Sequence, residues 1–320
     1  MERNEFLDKM VVGIFKEILI IRMVDSIINC KDLKKAEYVI LSVGYDATTS
    51  FRKGANKGPK EIINCLNTKV ELFERFTKTE PAYLIKIGHK ELKNLNKLSL
   101  DGLIEKIAKE YKLIHNQNNF VLMLGGDHSV SIGVFKCLSQ IMLVNDVTIV
   151  QIDAHMDLRD DDSEYNDKNP SKYAHSCVMR RAIDFGFKTV QIGIRDYSRE
   201  EYEFSQEKNL KIFEWGVKEN NFSIDEIVKS IKTDRIYLTI DMDGLDPACA
   251  PAVGTPVPGG LDWNYASALI RELAREKYIV GADIVEVAPR KDDVLTEYVA
   301  AQMCYNTICY VQYKKVKKYF

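Results

Sequence analysis

Val147-Thr148-Ile149-Val150-Gln151-Ile152-Asp153-Ala154-His155-Met156-Asp157 is the stretch whose reading decides the fold. Its first six residues form a mainly apolar, β-branched run of strand length. The run lacks strict polar alternation, which predicts a strand covered on both faces, as in a parallel sheet. It then breaks into two aspartates and a histidine at positions i, i+2 and i+4. In an extended chain these three side chains point to one side. Open parallel sheets bind their ligands at the carboxyl ends of their strands. The same stretch therefore predicts an architecture and the edge where its chemistry resides.

Seven further runs share the pattern: Tyr38–Val43, Tyr83–Ile87, Phe120–Leu124, Thr189–Ile194, Leu210–Phe213, Arg235–Ile240 and Tyr278–Val285. Helical spacing lies between several of them. It is clearest over Tyr265–Lys277, where Ala266, Leu269, Ile270, Leu273 and Ala274 share one stripe, and weaker over Lys60–Cys65, Leu103–Leu113 and Ser129–Gln140. This alternation predicts a doubly wound α/β sheet with helices on both sides. No internal repeat, low-complexity segment or linker interrupts it, so one domain is the simplest account. Asp160–Lys172 predicts a long charged loop, and the Lys-rich end after Tyr313 a solvated tail.

Composition narrows the function classes. The 320 residues are 46% hydrophobic, enough for a substantial core, and contain only 17 Gly and 8 Pro, which excludes collagen-like and Pro/Gly-rich disordered chains. Lys+Arg is 45 and Asp+Glu 47, a net charge of −2 that sets up no general field toward nucleic acid or an anionic membrane. Seven cysteines, an odd number with no recognisable signal peptide, predict reduced thiols in the cytoplasm rather than a disulfide framework. Met10–Ile28 is apolar enough to suggest a membrane span, but it carries Lys16, Glu17, Arg22 and Asp25. Each would cost roughly 2.5–3.5 kcal/mol near mid-bilayer. An amphipathic or buried helix is the better reading, with a subunit interface as the alternative.

Acids and histidines recur where the predicted strands end. Gly125-Gly126-Asp127-His128-Ser129 follows Phe120–Leu124, Asp241-Met242-Asp243-Gly244-Leu245-Asp246-Pro247 follows Arg235–Ile240, and Glu286-Val287-Ala288-Pro289 follows Tyr278–Val285. Singly, each is an ordinary cap or turn. Together they bring Asp153, Asp157, Asp241 and Asp243 to one sheet edge, where uncompensated carboxylates would raise one another's pKa. Two divalent cations balance that charge, and neutral His128 and His155 complete the coordination. An oxygen-rich, imidazole-containing, cysteine-free set favours Mn²⁺, with Ni²⁺ or Co²⁺ as substitutes. Cys177 and Cys249, close to these motifs, read as small buried hydrophobes. His89 and His115 belong to no motif.

GGDHSV (Gly125–Val130), DAHMD (Asp153–Asp157), DMDGLDPACAP (Asp241–Pro251) and EVAP (Glu286–Pro289) resemble the signature blocks of the ureohydrolases, which include arginases, agmatinases and formiminoglutamases. The similarity runs from about Gly44 to Ala301. It implies a single three-layer α/β/α domain over 37–320, with an eight-stranded, mostly parallel sheet and a binuclear manganese centre. Residues 1–36 fall outside it and are expected to form a helical extension. One metal would take His128, Asp153, Asp157 and Asp241. The other would take Asp153, His155, Asp241 and Asp243, with Asp153 and Asp241 bridging. Glu286 matches the glutamate that holds the substrate guanidinium, as a bidentate carboxylate suits that group. Thr255, in Gly254-Thr255-Pro256, matches a threonine near the metals, with loop structure as its other role. His175 matches a proton-shuttle histidine, and Asp157 would also help position the attacking oxygen. The reaction implied is hydrolysis of a guanidino group to urea and an amine.

Details of sequence bear on the substrate. Arginases commonly carry Asn two residues after this DAHMD-type block, where this chain has Arg159 within Leu158-Arg159-Asp160-Asp161-Asp162. Arg195-Asp196-Tyr197-Ser198 has Ser198 where arginases place a further Asp. DAHMDLRD, YAHSCVMRRA (Tyr173–Ala182) and YDATTSFRKGANKGP (Tyr45–Pro59) are similar to bacterial and archaeal agmatinases. An acidic loop suits agmatine, a small cationic guanidino substrate with no carboxylate. Val257 and the Glu297-Tyr298 pair depart from that pattern and keep arginine or guanidinobutyrate open. A non-catalytic regulatory relative is the other alternative. A single-zinc deacetylase-like site would not need both Asp157 and Asp243. The resemblance implies a homo-oligomer, trimer or hexamer, with no nucleic-acid or membrane partner.

Overall fold

The protein is described by a computed structural model covering residues 26–115, 119–217 and 222–317. Eight strands form one sheet: β1 (Tyr38–Val43), β2 (Ile87–Glu91), β3 (Phe120–Gly125), β4 (Val147–Ile152), β5 (Lys188–Ile194), β6 (Lys211–Glu214), β7 (Arg235–Asp241) and β8 (Tyr278–Val285). Their order is β2-β1-β3-β8-β7-β4-β5-β6, and every neighbouring pair is parallel. Every residue of β1, β3 and β4 is buried, as their mainly apolar composition favours.

Successive strand residues feed opposite faces, so the sheet has two cores. Val39, Leu41, Val121 and Met123 pack with α3 (Leu100–His115), α4 (Val130–Ile141) and α5 (Val178–Asp184). Tyr38, Ile40, Leu122 and Leu238 pack with α1 (Gly58–Thr68), α7 (Ile224–Ser230), α8 (Trp263–Glu276) and α9 (Leu295–Lys317). Two short helices complete the set, α2 (Pro81–Leu84) and α6 (Arg199–Glu207). The α8 stripe behaves as its spacing predicts, with Ala266, Leu269, Ile270, Leu273 and Ala274 all buried. Asp262 caps its start by accepting the Tyr265 N–H at 2.8 Å. The expected three-layer α/β/α domain is therefore the observed one.

Two expectations are corrected. The second strand is Ile87–Glu91, not Tyr83–Ile87. Pro81 fixes a helical φ and starts a single turn instead. The true strand lies at the sheet edge and carries His89, Lys90 and Glu91, so no apolar run marks it. The Lys-rich end is not a free tail, because α9 runs to Lys317. Lys314 Nζ donates to the Lys277 carbonyl at 2.9 Å, and Lys315 Nζ sits 4.6 Å from the centre of the Tyr38 ring. Of the expected helical extension, residues 1–25 lie outside the described residues. Residues 26–36 form bends and turns, anchored by Asn29, whose amide donates to the Ala82 and Ile85 carbonyls. Among the described residues no helix is long and apolar enough to cross a membrane.

Candidate active site

Four strands adjacent in the sheet, β3, β8, β7 and β4, supply the six expected metal ligands and Glu286 from their carboxyl ends, while His175 and Thr255 come from the loops that follow β4 and β7. The turn after β3 must run against Tyr45. A Cβ on Gly126 would lie 1.8 Å from the Tyr45 carbonyl oxygen, so only glycine fits there. This close approach holds Asp127 and His128 at the sheet edge. Asp157 and Glu286 have φ of 53° and 65°, the left-handed region that non-glycine residues rarely adopt. Such strained backbone clusters at functional positions.

The six expected metal ligands converge. His128 Nδ1 lies 3.2 Å from Asp153 Oδ2, 3.1 Å from Asp157 Oδ2 and 3.2 Å from Asp241 Oδ2. His155 Nδ1 lies 3.2 Å from Asp243 Oδ2 and 3.6 Å from Asp153 Oδ1. Donor atoms of five of these ligands make two groups of metal-binding size, His128/Asp153/Asp241 and Asp153/His155/Asp243; Asp153 is shared, Asp241 belongs to one, and Asp157 belongs to neither. The Asp243 carboxylate is held from three sides. It accepts the Ala154 N–H at 3.2 Å and the Thr255 hydroxyl at 2.9 Å, and it faces His155.

Donor counting fixes the tautomer of His128. Thr239 spends its one proton on Asp283 Oδ1 at 2.6 Å, so at its 2.8 Å contact with His128 Nε2 it can only accept. Tyr237 holds the other Asp283 oxygen at 2.8 Å. A neutral His128, the form that ligates a cation, thus carries its proton on Nε2 and turns its Nδ1 lone pair toward three carboxylates, which without a cation hold a second proton on that nitrogen. That nitrogen is buried and, unprotonated, has no hydrogen-bond partner. Four lone-pair groups facing one point fit a cation, and the outer carboxylate–threonine pair orients the imidazole as metal-ligating histidines require.

The electrostatics agree. Burial opposes protonation of His128, but Asp153, Asp157 and Asp241 outweigh it and hold its pKa well above the usual range. Burial and then the charge of Asp153 push Asp157 up to about 7. Burial, with Asp243 and Asp153 beside it, raises Asp241 well above a normal carboxylate. Burial alone would raise Asp153, yet the two imidazoles hold it well below. With no cation between them, His128, Asp157 and Asp241 hold protons more tightly than they ordinarily do.

Outward from the cluster lies a cavity of about 300 Å³. His155, Asp157, His175 and Thr255 line it, with Ser50, Tyr165, Tyr197 and Ser198. His175 Nε2 accepts the Ser50 N–H at 3.2 Å, so a neutral His175 carries its proton on Nδ1, 3.7 Å from Glu286 Oε1. Burial, then the charges of His155 and His128, lowers the His175 pKa to about 3. Glu286 is buried and accepts the His128 N–H at 2.8 Å. Burial, then repulsion from Asp127, raises its pKa well above normal. It stands next to His175 but is not among the residues lining the cavity.

Of the acids of the 160–172 loop, Glu164 lines the cavity and the aspartates at 160–162 do not. Asp160 pairs with Arg180 and Arg181, Asp161 accepts from Ser163, and Asp162 is buried as an acceptor for Asn166 and Ser171. Besides Asp157, the acids lining the cavity are Glu164, Asp196 and Glu201, beside a single guanidinium, Arg159. Arg159 is paired with Glu164, and its Nε lies 3.9 Å from Glu201. Sequence reasoning also missed Thr239, Asp283 and Gln151, whose amide donates to Asp153 Oδ2 at 2.6 Å. Each is a polar residue inside a buried apolar strand, where an unpartnered group is rare. That was the available signal.

Residues 36–309 match the profile of the Arginase family. The chain belongs to the arginase family. This family member is 34% identical over 281 residues to an N(1)-aminopropylagmatine ureohydrolase of Synechocystis, covering 86% of this chain and 89% of that protein. It is 32% identical to a guanidinopropionase of Pseudomonas aeruginosa, covering 84% and 85%. The crystal structure of the agmatine ureohydrolase of Thermoplasma volcanium superposes with a TM-score of 0.77 at 30% identity, covering 95% of this arginase-family chain and all of that one.

Proposed function

We propose that this arginase-family ureohydrolase hydrolyses agmatine to urea and putrescine, using two Mn²⁺ per chain held by His128, Asp153, Asp157, Asp241, His155 and Asp243. The bound ions supply Lewis acidity and a water activated at neutral pH. The other roles fall to side chains. Glu286 balances the guanidinium charge as the substrate enters. Thr255 holds Asp243 in place by its 2.9 Å hydrogen bond. Asp157 helps orient the attacking oxygen. His175, neutral near pH 7, takes a proton as water adds to the guanidino carbon. It returns the proton to the amine as the C–N bond breaks, so urea and a diamine leave.

One observation carries the choice of substrate. Among the described residues lining the cavity, Arg159 is the one Arg or Lys, and it is engaged by Glu164 and Glu201. Among the described residues no free Arg or Lys faces a substrate carboxylate, while Asp196, 3.8 Å from His155 Nε2, stays open to solvent. A second cation is therefore favoured over a carboxylate at the far end of the substrate. N(1)-aminopropylagmatine is the second reading. The relative at 34% identity bears that name, and its extra ammonium would extend toward the acidic mouth. A cytoplasmic homo-oligomer in polyamine synthesis completes the proposal.

The test is urea release by Mn²⁺-loaded protein from agmatine, N(1)-aminopropylagmatine, arginine and guanidinobutyrate at equal concentration. Urea from either of the first two, in excess over the carboxylated pair, is expected. Preference for arginine or guanidinobutyrate would overturn the reading of the mouth.

A further inference from the structure

Away from the site, a groove of about 470 Å³ lies between residues 71–76, the Ala248-Cys249 turn and helices α8 and α9. Phe73, Phe76, Trp263, Leu295 and Tyr298 line it, and Phe73 is 50% and Phe76 46% exposed. Phe76 also borders a second groove of about 270 Å³ beside Tyr310 and Tyr313, so the apolar surface continues along α9. Contiguous exposed apolar surface of this kind marks an interaction face.

We propose that residues 10–24 of the same chain lie along this groove and cover it. Two observations point to this occupant. First, 11 of these 15 residues are Met, Val, Ile, Leu or Phe, which makes the segment too apolar to be left in water. Second, the described chain begins beside the groove. Ser26 Oγ donates to Asn67 Oδ1 at 2.5 Å, and Ile27 is buried in the core that contains Leu66 and Val70. The groove lining begins at Glu71, four residues beyond Asn67, which is at most about 14 Å of chain. A segment of 15 residues spans about 22 Å even when helical. Tethered this closely, it meets the groove at an effective concentration of order millimolar, which favours it over a second copy of the chain.

Cys249 lines the groove and reports on it. Its maleimide labelling would be followed by peptide mass in the full-length chain, in a chain lacking residues 1–24, and in full-length Ile18→Asp. The point variant keeps the test valid where the truncated chain fails to fold. The full-length chain is expected to label at Cys249 about tenfold more slowly than either variant. A synthetic peptide of residues 1–25 should restore protection to the truncated chain. Equal labelling of Cys249 in the full-length chain and both variants would overturn the proposal. So would protection that disappears on dilution as the sedimenting mass falls, because a second copy would then be the cover.

Discussion

Thr239 accepts from one partner and donates to another, so its hydroxyl decides which nitrogen of a neutral His128 is bare. Thr239→Val keeps the shape and β-branching but frees the imidazole to rotate and change tautomer. Mn²⁺ affinity, measured by titration against a competing chelator, is expected to fall about 10- to 100-fold. Unchanged affinity would mean that the ligands need no outer support. A second residue-scale expectation concerns Arg159. Glu164→Gln removes its close partner and leaves Glu201 at 3.9 Å. The released guanidinium can then meet a carboxylate, so the ratio of guanidinobutyrate to agmatine turnover should rise about tenfold, the 1–2 kcal/mol of a charged hydrogen bond. The ligands themselves were legible because DAHMD and DMDGLD put charge where a buried strand stops. Thr239 was not, because a threonine within Tyr237-Leu238-Thr239-Ile240 is also an ordinary β-former. The acidic loop misled for a related reason. Sequence gives the charge of Asp160 and Asp162 but not their partners, and Arg180, Arg181 and the loop's own amides claim them.

At the scale of elements, the middle of the sheet was legible and its margins were not. β3, β4, β7 and β8 are covered on both faces and therefore read as apolar runs. β2 lies at the edge with three of its five residues partly or fully exposed, and composition there reflects solvent as much as fold. α9 was missed because apolar residues are spread around it, so it shows no single stripe. It packs against α1, α8 and β8 and buries Ala300, Met303, Cys304 and Ile308. Its end is held by Lys314 on the Lys277 carbonyl, Gln312 on Tyr38, and Lys315 over the same ring. Among the described residues, removing 314–320 deletes a hydrogen bond and two cation–π contacts, of Lys314 with Tyr278 and of Lys315 with Tyr38. The expected loss is about 1–2 kcal/mol, seen as a Tm lowered by about 2–5 °C. A melting curve that does not move would return these lysines to the role of a solvated tail.

For the whole molecule, eight parallel strands make one edge of the sheet carry the site and also concentrate its charge. Asp153, Asp157, Asp241, Asp243 and Glu286 sit there with Asp127 behind them, nearly all out of contact with water. Burial and mutual repulsion raise Asp157 to about 7 and Asp241 and Glu286 well above normal, while His128 and His155 are held well above 6.5 by their carboxylate partners. Unfolded, the carboxyls titrate near 4 and the imidazoles near 6.5. From pH 5 to 8 the folded, chelated protein therefore binds more protons at these groups than the unfolded chain does. The contribution of these groups to stability must fall as pH rises through that window. Asp153, shifted downward, acts only below about pH 4. His175, His89 and His115 are lowered and act oppositely below 6.5. His89 and His115 are not metal ligands, so their effect cancels in a comparison of loaded with chelated protein, whereas His175 answers to the charge on His155 and His128 and acts only below about pH 6.5. Divalent cations displace the cluster's protons and bind more tightly as pH rises. The difference in Tm between Mn²⁺-loaded and chelator-treated protein is thus expected to widen steadily from pH 5 to pH 8, with protons released on loading. Scanning calorimetry at unit pH steps measures it. A difference that stays constant or narrows would show that the carboxylates are already compensated without a cation.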